Sequence, residues 1–99
     1  FQPHLYTRTR DLADGFAEVL DLADEVLLLP IYPARELPIA GVSSEMIIER
    51  MKNANKSVMN KEKLMNWIES DFKKDERVLI TAGAGDIDLL VEPIKKILK

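Results

Sequence analysis

Four aliphatic residues in a row, Val26-Leu27-Leu28-Leu29, stand between Glu25 and Pro30. A strand with one wet face alternates apolar and polar residues, so an unbroken run predicts a strand covered on both faces, as in a parallel sheet. Arg77-Val-Leu-Ile-Thr-Ala82 repeats the pattern and predicts a second buried strand. The stretches around these runs have helical periodicity. Leu12, Phe16, Val19, Leu20 and Ala23 make one apolar face, with Asp14, Glu18 and Asp21 on the wet side. Thr9 is placed as the N-cap of this helix, with Asp11 in its first turn. Ser43 or Ser44 caps a helix presenting Ile47, Ile48 and Met51, and Lys56 to Met59 reads as a short edge strand. Asn60 caps a helix with Leu64, Trp67, Ile68 and Phe72 inward. Ile87 to Leu98 closes the chain as helix, broken near Pro93, which restarts it at a first-turn position. Strand–helix alternation with right-handed crossovers predicts an α/β fold, a mostly parallel sheet with helices on both faces.

Composition narrows the function classes. Ninety-nine residues make one domain, 1–99, long enough to bury roughly two-thirds of the surface its unfolded chain exposes. Seventeen acidic residues against 14 basic ones give a net charge of −3, interspersed along the helices. No basic stripe of the kind nucleic-acid binding needs is present. With no cysteine there is no disulfide framework, thiolate metal site or cysteine nucleophile. A lone histidine argues against a metal site built within the domain. No apolar run approaches the roughly 20 residues of a membrane span, so no membrane partner is expected. Phe1-Gln2 reads as the end of a strand with no Met before it, and an excised domain is expected, its first strand cut at the N-terminus.

In a parallel α/β sheet, ligands sit outside the carboxyl ends of the strands. Three loops leave those ends: Gln2–Thr9, Ile31–Val42 and Gly83–Asp86. They hold the unusual polar residues of the chain. The first packs His4, Tyr6, Thr7 and Arg8 ahead of a helix N-terminus, which favours an anion, while the guanidinium groups of Arg8 and of Arg10, just inside the helix, add forked donors for carboxylate or phosphate. The plainer reading is a solvated loop with a capping threonine. Tyr32-Pro33-Ala34-Arg35-Glu36 offers a further arginine, or a solvated turn with a local ion pair. Gly83-Ala84-Gly85 is either the start of a phosphate-binding turn or a tight turn needing glycine torsions. Asp86 is read as the N-cap of the next turn, and its charge disfavours a phosphate beside it. Lys61 and Lys73 are read as solvated faces.

Phe1-Gln2-Pro3-His4 with Tyr6-Thr7-Arg8-Thr9, then Tyr32-Pro33-Ala34-Arg35-Glu36 with Pro38-Ile39 and Gly41-Val42, then Gly83-Ala84-Gly85-Asp86-Ile87, together resemble the C-terminal domain of the Mur ligase family. The likeness covers the whole chain in order and spacing. It implies a Rossmann-like three-layer sandwich, the third domain of a cytoplasmic, ATP-dependent, amide-forming ligase of peptidoglycan synthesis. The implied partners are UDP-N-acetylmuramate, L-alanine, and the upstream UDP-binding and ATP-binding domains of the same chain. The lactyl carboxylate would be activated as an acyl phosphate and attacked by the alanine amine. The substrate-binding residues implied are His4, Tyr6, Thr7, Arg8, Tyr32, Arg35, Gly83, Gly85 and Asp86, with no catalytic residue among them. ATP and Mg2+ would bind mainly outside these residues, since no G-x-x-x-x-G-K-[ST] occurs, and the fragment should be inactive alone. Leu5 stands where relatives often carry Arg, which shifts weight to Arg8. Two other readings stay open: a sister ligase that adds a peptide, and a stand-alone Rossmann-like binding module.

Overall fold

The computed structural model describes all 99 residues, Phe1–Lys99. The aliphatic run forms strand β1 (Val26–Leu28), and strand β2 (Lys56–Val58) lies parallel beside it, with Val26 opposite Lys56 and Leu28 opposite Val58. Successive side chains of a strand point to opposite faces, and β1 serves two cores accordingly. Val26 and Leu28 pack with Ala13 and Ala17 of helix α1 (Tyr6–Leu20) and with Ile47 of helix α2 (Ser44–Arg50). Leu27 and Leu29 join Leu64 and Ile68 of helix α3 (Lys61–Ser70), Ile87, and Ile94 of helix α4 (Val91–Leu98).

On its other side β1 meets residues 1–5. The Phe1 amino group donates to Leu27 O at 2.8 Å. Leu29 N–H donates to Phe1 O at 3.0 Å, Tyr32 N–H to Pro3 O at 2.9 Å, and Leu5 N–H to Tyr32 O at 2.9 Å. Gln2 N–H turns the opposite way, to Ala82 O at 3.0 Å. Parallel bridges pair Gln2 with Gly83 and His4 with Tyr32. The N-terminal segment therefore runs between β1 and the 82–83 backbone.

Several expectations hold. Asn60 caps α3, its Oδ1 accepting from Lys63 N–H at 2.8 Å. A short 3-10 helix (Asp86–Leu90) precedes α4, which puts Pro93 in the first turn of α4, where a missing N–H costs nothing. Ser43 occupies the cap position of α2 without a side-chain cap bond, while buried Ser44 donates its hydroxyl to Leu29 O at 2.5 Å.

Others are corrected. Arg77–Ala82 is not a strand, and Val78 and Ile80 are 87% and 78% exposed. Only Leu79 turns inward, toward the second core. Residues 77–81 make no backbone ladder bonds. Helix α1 starts at Tyr6, with Leu5 at its cap position, instead of being capped by Thr9. Thr9 is buried within the first turn, and its hydroxyl donates back to Leu5 O at 2.8 Å. Asp11 falls beyond the first turn and pairs with Arg10 at 2.8 Å. The inward stripe of α1 is Thr9, Ala13 and Ala17, flanked by Phe16 and Leu20, while Leu12, Val19 and Ala23 are exposed. Small residues on that stripe let α2 approach, and this turns Leu12 and Val19 outward.

The two environments predict different mutational costs. Ile47→Ala, at a fully buried position, should lower the unfolding free energy by about 2–5 kcal/mol. Ile80→Ser should change it by less than about 0.5 kcal/mol. Urea denaturation of both variants checks this. A cost at Ile80 matching that at Ile47 would mean that the 77–82 segment is covered.

Candidate functional site

The bridges of residues 1–5 bring the three polar loops to one edge, as the fold class requires. His4 lies half-buried with its ring stacked on Tyr32, centroids 5.8 Å apart and planes 15° from parallel. Gln2 clamps the glycine turn. Its Nε2 donates to Asp86 Oδ1 at 2.9 Å, and its Oε1 accepts Ile87 N–H at 2.9 Å.

Both glycines are explained by this close approach. Gly83 has φ +148°, and a Cβ there would sit 2.7 Å from Gln2 O. A Cβ at Gly85 would meet Gln2 Oε1 at 2.5 Å and Tyr32 Cβ at 2.6 Å. The tight-turn reading accounts for them. Asp86 is not a cap, because Gly85 holds that position. Its carboxylate pairs instead with the Lys61 ammonium and with Gln2. Those two contacts, Lys61 first, hold the Asp86 carboxyl below the usual range. Lys61 is therefore more than a solvated lysine. Its reach to Asp86 spans 25 residues, which no local pattern signals. A cavity of about 560 Å³ opens here, between Tyr32 and Pro33 on one side and Lys61, Glu62, Asp86 and Gln2 on the other.

The N-terminus of α1 departs most from expectation. No open anion site exists there, because the protein supplies its own anion. Glu36 Oε1 accepts from Tyr6 N–H at 2.5 Å and Thr7 N–H at 3.1 Å. Its Oε2 accepts from the Thr7 hydroxyl at 2.6 Å. The Thr7 hydroxyl, then the Thr7 and Tyr6 amides, hold the Glu36 carboxyl below its ordinary value, with Arg10 adding a further pull. Glu36 thus pairs with the start of α1, not with its neighbour Arg35 as the local ion pair required. Arg10 is committed to Asp11. Arg8 and Arg35 are exposed and enter none of the ion pairs of the structure. They are the free cations of this edge.

No protein-family model matches the chain. Its whole length nonetheless aligns with curated relatives. A UDP-N-acetylmuramate–L-alanine ligase of Flavobacterium johnsoniae is 50% identical over 98 residues, covering 99% of this chain and 21% of the relative. The enzyme of that name from Cytophaga hutchinsonii is 52% identical over 95 residues, 96% of this chain and 20% of the relative. That from Porphyromonas gingivalis is 48% identical over 99 residues, all of this chain and 21% of the relative. Along its whole length the chain is homologous to one region of these ligases. It spans about a fifth of the length of these ligases. No helix in it is long and apolar enough to cross a membrane.

Two measurements probe this edge. Gly85→Ala should cost about 1–3 kcal/mol, the ordinary penalty for forcing a group into filled space. The carboxyls of Glu36, Asp86 and Asp21 are all held low in the folded state, the last by the Lys52 and Asn53 amides. Their contribution to stability is complete above the unfolded carboxyl value of about 4 and disappears as pH falls through the folded values. Urea midpoints should be level from pH 7 to about 5 and drop below about 4. Midpoints that rise on acidification would contradict these contacts.

Proposed function

We propose that this chain is the C-terminal domain, residues 1–99, of an ATP-dependent ligase that joins L-alanine to UDP-N-acetylmuramate. One observation carries the reading: identity of about one-half, along the entire chain, to proteins of that name. The geometry supports it by bringing together the loops that carry His4, Tyr6, Thr7, Arg8, Tyr32, Arg35, Gly83, Gly85 and Asp86, of which Tyr32 and Asp86 line the cavity. In this reading the fold is a Rossmann-like three-layer sandwich, and the segment 1–5 is the end of a strand that continues upstream. The upstream domains hold the UDP-sugar and the nucleotide. ATP and Mg2+ bind mainly outside these 99 residues, which lack G-x-x-x-x-G-K-[ST]. The setting in this reading is the cytoplasm.

The substrates and an acyl-phosphate intermediate are anionic, so stabilisation needs positive charge aimed at the cleft. With Glu36 on the N-terminus of α1, this task falls to Arg8 and Arg35. His4, held flat against Tyr32, orients the carboxylate of alanine or of the lactyl group. Tyr6, Thr7 and the backbone of Gly83–Gly85 form the wall. Asp86, already paired with Lys61, fixes the turn and repels anions from its own side, which confines them to the arginines.

The full-length protein, given ATP, Mg2+, UDP-N-acetylmuramate and L-alanine, should release phosphate and yield the alanyl product by mass spectrometry. The 99-residue chain alone should yield none. Arg8→Ala and Arg8→Lys should each slow the full-length enzyme by about 30- to 1000-fold, or about 2–4 kcal/mol, because lysine keeps the charge and loses the planar fork. Normal turnover in both variants would remove Arg8 from the site. A product formed with a peptide and not with alanine would assign the protein to the sister ligase.

A further inference from the structure

We propose that Glu36 is a positioning residue of the ligase, a carboxylate latch that fixes the aim of His4 and Arg8 from the neighbouring loop. The inference rests on the ligase reading for its catalytic consequence and on geometry alone for the latch. Residues 3–7 and 32–36 are zipped together from end to end. Tyr32 exchanges backbone hydrogen bonds with Pro3 and Leu5, and Glu36 then takes the Tyr6 and Thr7 amides and the Thr7 hydroxyl. Between these two attachments the chain must turn from strand into helix, and it does so at Leu5, with φ +68° and ψ 140°.

A side chain with a Cβ occupies such a conformation at a cost of order 1–3 kcal/mol and stays there only when its surroundings dictate it. On the other strip, Ala34 is also held at positive φ, +54°, between Tyr32 and Glu36. Each of the two strips joined by the Glu36 carboxylate thus carries one residue at positive φ. Glu36 is well suited to hold them, since an anion at a helix N-terminus is favoured by the dipole and its amide bonds are charge-assisted.

His4 immediately precedes Leu5, and Arg8 immediately follows Thr7, so the two candidate ligand contacts flank the latched residues. Without the carboxylate, two amide donors and a hydroxyl are released, and the turn at Leu5 is left to the Tyr32 ladder and to the Thr9 amide and hydroxyl on Leu5 O. The start of α1 then pivots, and Arg8 moves with it while its own contacts are untouched. Glu36 touches no substrate in this scheme. It acts through the backbone.

The test uses the full-length protein. Glu36→Ala should lower kcat/KM by about 10- to 100-fold, the effect of misplacing a contact by about 1 Å. Hydrogen exchange followed by mass spectrometry should show faster exchange in peptides spanning Tyr6 and Thr7, and unchanged exchange in β1 and α3. Formate fits the vacated amides and hydroxyl, and it should restore part of the Glu36→Ala rate where chloride at equal ionic strength does not. Glu36→Gln keeps an acceptor for both amides and should fall between Glu36→Ala and the parent in rate and exchange. It also serves if Glu36→Ala fails to fold. Parental kcat/KM in Glu36→Ala, or a loss that formate does not relieve in a folded variant, would overturn the positioning role. If the parent protein does not ligate, the ligase reading fails, and exchange alone judges the latch. Unchanged exchange at Tyr6 and Thr7 in the variant would then refute it.

Discussion

A proline and a serine decide how the first five residues join the sheet. In a regular parallel ladder, Phe1 and Pro3 would both donate to β1. Phe1 does so, to Leu27 O, whereas Pro3 has no N–H to give. The acceptor thereby left over, Leu29 O, is buried in the sheet and receives the Ser44 hydroxyl at 2.5 Å instead. A gap in one ladder is thus the point where α2 is fastened to the strand. The next rung, Tyr32 N–H to Pro3 O, skips a residue: the β1 side advances three positions, from Leu29 to Tyr32, where the first segment advances two. One extra residue on a strand bends it and re-aims the side chains beyond the bend. Here it lays Tyr32 over His4.

This defect in regularity places the candidate site. Had the ladder run on in register, Ile31 would occupy the rung and the Tyr32 ring would face the other way. The same short segment binds the third loop through Gln2, whose backbone reaches Ala82 and whose side chain holds Asp86 and Ile87. Glycine at 85 is then required, because the Gln2 side chain and Tyr32 occupy the space of a Cβ. Fold and site share their constraints, residue for residue.

How far the sequence discloses this differs from element to element. The aliphatic run of β1, the Asn60 cap and the restart at Pro93 are local signals, and local physics reproduces each of them. Arg77–Ala82 carries as strong an apolar signal as β1, yet its one backbone bond is Gln2 N–H to Ala82 O. Thr9 looks like a cap because a threonine ahead of an apolar face usually is one. Inside a helix its hydroxyl can bond the carbonyl four residues back, and it does so here, at Leu5. The convergence of three loops follows from fold class alone. The pairs that set its electrostatics do not, since Thr7–Glu36 and Lys61–Asp86 lie 29 and 25 residues apart. Glu36 beside Arg35 has the pattern of a local pair, and only the folded chain reveals a longer reach.

These long-range pairs also explain why so polar an edge can be rigid and still selective. Two places where an anion would naturally settle, the N-terminus of α1 and the glycine turn before the 3-10 helix, are each met by a carboxylate of the protein, Glu36 and Asp86. Each is held by bonds to backbone or to a partner side chain, and these tie the loops to one another. The uncommitted cations of this edge are two guanidiniums on long, flexible stems, Arg8 and Arg35. A ligand arriving at this edge therefore meets settled backbone and mobile positive charge. Under the ligase reading, any closure over an anionic substrate would draw in the two arginines while the sheet, the stacked rings and the glycine turn moved as one body.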